Sequence, residues 1–229
     1  ISKDHTRATW FEAQIETETL TASNRSNISD TLCTILQTAR NHNPSFLKKC
    51  KGLTVVTVLD FPRDWGLGTS STLINNIAQW AQIDAFTLLK ESFGGSGYDI
   101  AAAQHNTPIF YTVKRHEPEV LPCTLSWSFT DHLFFVHLNQ KKDSKKGIET
   151  YKNIKKDARL VETISDLSKK TLVCYTLQDF ERILNAHEQK ISKLLAQPTV
   201  KQMLFKDYPN TIKSLGAWGG DFVLATGNN

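Results

Sequence analysis

Apolar residues recur every three to four positions over 28–39, where Ile28, Leu32, Ile35, Leu36 and Ala39 form one stripe. That spacing predicts a helix capped by Asn27 or Ser29 and stopped at Asn43-Pro44. Leu73, Ile74, Ile77, Ala78 and Ala81 repeat the pattern and predict a helix beginning near Ser70 or Ser71. Asp84 is placed to cap a short helix through Leu89, and the clearest helix of all is LQDFERILNAHEQKISKLLA at 177–196. Pro198 suits the first turn of a further one. Between these, ATWFEAQIETETL at 8–20 partly alternates, LTVVTVLDF at 53–61 is rich in β-branched residues, and LFFVHLN covers 133–139. All three read as strands, the second buried on at least one face. The stretch FGGSGYDIAAAQHNTPIFYTV reads as glycine loop, short helix and strand, and TIKSLGAWGGDFVLAT as two short strands joined by a glycine turn.

This irregular alternation argues for an α+β fold rather than a parallel barrel. Around 114–131 the pattern breaks at Pro118 and Pro122, which sets the expected organisation as two domains, 1–120 and 121–229.

Composition narrows the class. The 229 residues are 40% hydrophobic and 22% charged, which is ordinary for a globular chain. The longest apolar runs are too short to span a bilayer, so no membrane partner is expected. Cys33, Cys50, Cys123 and Cys174 lie far apart without metal spacing, which points to a reduced, cytoplasmic setting. The formal charge of +4 is mild, and QKKDSKKG at 140–147 reads as a solvated loop rather than a nucleic-acid grip. A small anionic substrate would be served by the same potential. The chain begins at Ile1 without an initiator Met, and an amino-terminal portion is expected to be missing.

Three glycine segments carry the candidate chemistry: WGLGTSST, FGGSGYDIA and LGAWGGDF. In the first, glycines precede three hydroxyl residues and a helix. This reads either as a tight turn or as an anion cradle built from free N–H groups and the helix dipole. It is not a Walker A loop, because the Gly-Lys-Ser/Thr ending is absent, and a dinucleotide fingerprint fails where Ser71 replaces the third glycine. In the second, Asp99 is either an N-cap or a carboxylate presented for proton abstraction or metal-linked positioning. Glu91 is either an exposed helix-end glutamate or a second carboxylate for Mg²⁺. The third segment is explained by a hairpin turn unless it meets a ligand from another side.

Taken in order, the segments resemble the GHMP kinase family. Pro62-Arg63-Asp64-Trp65-Gly66-Leu67-Gly68-Thr69-Ser70-Ser71 is similar to the family signature P-x-x-x-G-L-G-S-S-A. SGYDIAAA at 96–103 looks like the Ser-Gly-x-Asp segment of phosphomevalonate and mevalonate kinases, and of the subgroup named after its GYDIA run. GAWGGD at 216–221 looks like their GAGGGD motif. The resemblance implies a two-lobed α+β GHMP fold, with a ribosomal-protein-like amino-terminal lobe, a ferredoxin-like carboxy-terminal lobe, and ATP and acceptor in the cleft.

It further implies that Pro62, Gly66, Leu67, Gly68, Thr69, Ser70 and Ser71 hold ATP. Ser70 and Glu91 would hold Mg²⁺, and Asp99 with Ser70 would be catalytic. Ser96, Gly97, Asp99, Gly219, Gly220 and Asp221 would meet the acceptor. Lys141, Lys142 and Lys145 could help neutralise a phosphorylated one. His187 sits where relatives often carry an Asn-His pair, although a merely buried or capping histidine is the reading to prefer. The implied activity is ATP-dependent phosphoryl transfer to a small acid of the mevalonate (isoprenoid) pathway, phosphomevalonate first. Same-fold alternatives are mevalonate kinase and diphosphomevalonate decarboxylase, and the rival of another class is a non-catalytic nucleotide-binding relative. The family's early lysine motif is not visible, and Trp65 and Trp218 would reshape the acceptor pocket.

Overall fold

The computed structural model describes residues 1–50, 52–115, 117–139, 151, 153–154, 157–216, 218 and 220–228. They form an α+β protein that divides into two compact units: 1–63 with 67–123, and 64–66 with 124–229.

In the first unit β1 (Ser2–Lys3) pairs antiparallel with β2 (Thr9–Phe11) and parallel with β3 (Thr57–Val58). Helix α1 (Asn27–His42) packs against α2 (Thr69–Ala81) and α3 (Ala85–Ser92), and α2 also packs against α4 (Tyr98–Ala103). The apolar stripes meet in one core of Leu20, Ile35, Leu36, Ala39, Ile74, Ala78, Leu88 and Ile100. Burying side chains such as Ile74 and Leu88, both 0% exposed, contributes roughly 2 kcal/mol each.

Several expectations change here. The cap of α1 is Ser26, not Asn27 or Ser29; Ser29 instead completes a capping box by accepting from the Ser26 N–H. Asp84 does cap α3, accepting from Thr87 N at 2.6 Å. The strand expected over 8–20 is limited to Thr9–Phe11. Beyond it an Ile15–Ala22 bridge closes a turn that tucks Leu20, at 1% exposure, into the core.

The strand expected over 53–61 is likewise reduced to two residues, and Leu53 and Val56 are each 50% exposed. Its backbone is extended, since the Ile1 ammonium donates to Val55 O at 2.9 Å and Leu59 N to Lys3 O at 3.0 Å. β-Branched side chains favour extension, but burial depends on what covers them.

The proline-marked stretch after 114 is not irregular throughout. β4 (Ile109–Lys114) and β5 (Glu117–Pro122) form a two-stranded hairpin that places Pro118 opposite Val113 and Pro122 opposite Ile109. Prolines are tolerated because each strand of a two-stranded ribbon has a free edge.

In the second unit β6 (Leu133–His137), β8 (Phe222–Thr226) and β7 (Ile212–Ser214) form an antiparallel sheet in that order. Leu224 faces a cluster of Phe129, Cys174, Phe180 and Leu184, whereas its neighbour Val223 faces Val200, Ile212 and Tyr208. This is the period-two alternation of a sheet covered on both sides. Helix α5 (Ala158–Leu172) packs on α6 (Leu177–Leu195), and α6 and α7 (Val200–Leu204) pack on β7. The long helix therefore ends within one residue of its predicted limit. Pro198, by contrast, precedes the last helix, which Thr199 caps in a box with Gln202. All four cysteines are free thiols. No helix among the described residues is long and apolar enough to cross a membrane.

Candidate functional site

Helix α2 starts at an unusual cap. Gly68 is its N-cap in the left-handed region (φ 71°), and no side chain accepts from the first-turn amides. N-caps are ordinarily extended and carry an oxygen that satisfies one of these orphan donors. A side chain at Gly68 would be strained by that φ rather than by crowding, because the space around its α-carbon is open. Among the described residues, the hydroxyls of Thr69, Ser70 and Ser71 make no hydrogen bond, whereas Thr72 Oγ1 turns back to Gly68 O at 3.1 Å. The first turn thus combines unpaired N–H groups with three uncommitted hydroxyls, the composition of an anion cradle. Pro62 and Leu67 flank this segment without a polar role.

The second glycine segment has the same architecture. Gly97, again left-handed (φ 85°), caps α4 with no side-chain oxygen. Asp99 is therefore not the N-cap that one reading of the sequence allowed; it lies in the first helical turn. Burial raises its carboxyl above the usual aspartate range, and a hydrogen bond from Tyr98 offsets part of that rise. Tyr98 is pushed up in turn, by burial and then by the Asp99 charge.

The loop before α4 is held by a residue the sequence did not single out. Tyr111, on β4, donates to Ser96 O at 2.5 Å, and its oxygen lies 2.9 Å from where a Cβ on Gly97 would stand. Gln104 at the end of α4 donates to Asn75 of α2 at 3.0 Å, which ties the two glycine-led helices together.

Glu91, in the last turn of α3, is engaged elsewhere: its Oε2 lies 2.8 Å from His42 Nε2 of α1. Among the described residues no group of three His, Cys, Asp or Glu could hold a metal ion. Ser70 keeps a free hydroxyl, so it alone of the two expected metal ligands is uncommitted.

In the second unit the structure joins residues from opposite ends of the chain. Gly66 (φ 69°) lies so close to Asp221 that a Cβ there would meet Asp221 Cγ and Oδ2 at 2.5 Å. Only glycine meets both requirements, the positive φ and the close approach. Asp221 is itself left-handed (φ 53°), and its carbonyl accepts from Leu138 N at 2.8 Å. Trp65, beside Gly66, sets its ring 5.5 Å from Phe222 edge-on and 5.8 Å from His137. It is thus an anchor on β6 and β8. Trp218 places its ring 6.0 Å from Tyr151, and Gly220 is buried. Gly219, Lys141, Lys142 and Lys145 lie outside the described residues. Compared with family models, curated proteins and solved structures, the chain finds no match.

His187, on α6, is a half-buried histidine rather than a capping one: its Nδ1 is buried and has no hydrogen-bond partner among the described residues. Burial first, and then the Lys213 charge, lower its pKa to about 4. This value lies below the ordinary 6.5, so the stability the neutral ring confers is complete above about pH 6.5 and is lost as pH falls through about 4. Screening of a partly exposed ring limits it to roughly 1–2 kcal/mol. The melting temperature is expected to fall between those pH values, and His187→Phe to flatten the fall. Parallel curves for the two proteins would refute this assignment.

Proposed function

We propose that the chain is an ATP-dependent small-molecule kinase acting on a compact anionic acceptor, phosphomevalonate ahead of mevalonate. What carries this reading is a contrast at the helix starts. Helices α1, α3, α5, α6 and α7 are capped by the side chains of Ser26, Asp84, Asp157, Thr176 and Thr199. The two helices led by the glycine motifs, α2 and α4, have no side-chain cap. Donors left open at both motif positions, and at no other α-helix start among the described residues, are what a phosphate-bearing ligand requires. The close approach of Gly66 and Asp221 within the second unit supports the same reading, because each belongs to one of the three motifs.

In this proposal the first-turn amides of α2 and the hydroxyls of Thr69, Ser70 and Ser71 would hold the triphosphate, and Ser70 would offer its hydroxyl to Mg²⁺. ATP supplies the phosphoryl group, and Mg²⁺ neutralises its charge. The chain's own task is to position the reactants and stabilise charge, as phosphoryl transfer requires. Asp99 is the candidate base for an alcohol acceptor, and its raised pKa brings it nearer neutrality, where a general base works best. A phosphate monoester, with a second pKa of about 6, is already largely ionised at pH 7 and needs no base, so Asp99 would then orient the acceptor.

The test is ADP release from ATP with mevalonate, phosphomevalonate and diphosphomevalonate in turn. Turnover with phosphomevalonate is expected. Carbon dioxide release with diphosphomevalonate would reassign the chain as a decarboxylase. ATP binding without turnover on any acceptor would sink the kinase reading in favour of a non-catalytic nucleotide binder.

A further inference from the structure

On the second unit, between α6, α7 and β7, lies a cleft of about 270 Å³ with no part in the proposed reaction. Its lining includes Asn185, Glu188, Gln189, Lys201, Lys206 and Ile212. Glu188 is only 6% exposed and Ile212 only 4%, so they form the floor, whereas Asn185, Gln189 and Lys206 are exposed at the rim.

The charges are unevenly committed. Glu188 is neutralised by Lys213, 3.2 Å away, and its Oε2 also accepts from Ser214 N at 2.8 Å. The floor is therefore rigid and close to electrically neutral. Lys201 gives one of its three N–H groups to Asn210 O at 2.5 Å, which fixes the ammonium in place and leaves two donors. Neither Lys206 nor the Gln189 amide has a hydrogen-bond partner among the described residues. Asn185 spends an amide N–H on Thr211 Oγ1 at 2.8 Å, which orients its carboxamide. What remains available is two ammonium groups, one of them preordered, together with an amide donor, around a pocket just below the usual ligand range of ~300–1,000 Å³.

We propose that this cleft binds a small polyvalent oxyanion, a compact metabolite bearing a phosphate or two carboxylates. Two lysines over a neutral floor give a net positive site, and oxyanions are the ligands that ammonium and amide N–H groups recognise. The volume excludes a nucleotide but admits a phosphate with a short carbon chain. Part of the attraction comes from the exposed Lys206, so binding should weaken as salt is raised.

The experiment titrates the full chain with inorganic phosphate and, separately, with succinate, by calorimetry and by NMR of the side-chain amides. Binding is expected to shift the Asn185 and Gln189 amide signals. Lys206→Gln and Lys201→Gln are each expected to weaken it about tenfold, the loss of one charged contact at ~1.4 kcal/mol. Asp99→Asn, remote from the cleft in sequence, should bind as the wild type does. Lys206→Gln changes an exposed side chain, so its effect is read on a folded protein. A preference for phosphate identifies a phosphorylated ligand and a preference for succinate a dicarboxylate, and either supports the site. No shift at Asn185 and Gln189, or wild-type affinity in both lysine variants, overturns it. Shifts confined to residues 68–72 would do the same while leaving the kinase proposal standing.

Discussion

Glu188→Gln is expected to lower the unfolding free energy by about 3–5 kcal/mol, the cost of breaking a buried ion pair from one side. Glu188 and Lys213 are both nearly inaccessible, with side chains 8% and 11% exposed. Burial already lowers the Lys213 pKa, and the nearby Glu188 carboxylate opposes that effect. A neutral amide removes the opposing charge and leaves only a carbonyl dipole facing the lysine. Lys213 must then stay charged with no counter-charge, only the Ser214 carbonyl accepting from it, or lose its proton, and either costs free energy. The substituted amide can still accept from Ser214 N through its carbonyl oxygen, so the loss reports the charge pair rather than the backbone contact.

Adding Lys213→Met should recover part of the loss, because the double variant contains no unpaired charge. Equilibrium urea unfolding of the full chain measures all three. A single-variant loss below ~1 kcal/mol, or a double variant whose losses simply add, would show that the pair is solvated and not a structural lock.

The second large effect falls on turnover. Asp99→Asn is expected to reduce the rate with an alcohol acceptor by about 10²–10⁴-fold, the usual contribution of a general base. Stability should hardly change. The aspartate pKa is raised in the folded state, so the ionised carboxylate opposes folding at neutral pH, and replacing it with an uncharged amide relieves that cost. A small loss of helix-dipole stabilisation at the first turn acts in the other direction. The melting temperature should therefore stay level or rise slightly while turnover collapses. If both fall together, Asp99 is a structural residue of α4. If neither moves, it has no role in the reaction.

Much of this protein was legible in the chain. The helices over 69–81, 85–92 and 177–195 follow from apolar positions that recur at helical spacing, since a stripe of that period can be buried only by coiling the backbone. The hairpin around LGAWGGDF follows from two short strand-like runs joined by glycines. Caps were legible where one candidate stood alone, as with Asp84. They were misread where several hydroxyl residues competed, as with Ser26, because cap geometry depends on the incoming chain direction.

The tertiary structure decided what covers what. LTVVTVL was expected to be buried, yet Leu53 and Val56 are half exposed, because a β-branched run specifies extension and not the element that packs over it. Pro118 and Pro122 suggested an irregular stretch, but a two-stranded hairpin has free edges on which they sit. The ion pair of Glu188 and Lys213, and the anchor of Trp65 on His137 and Phe222, have no local signature at all. Nor could the sequence disclose that Gly66 is required by the Asp221 carboxylate as well as by its own positive φ. Local pattern determines how each segment prefers to coil or extend. Proximity between distant segments is set only when their faces are buried together.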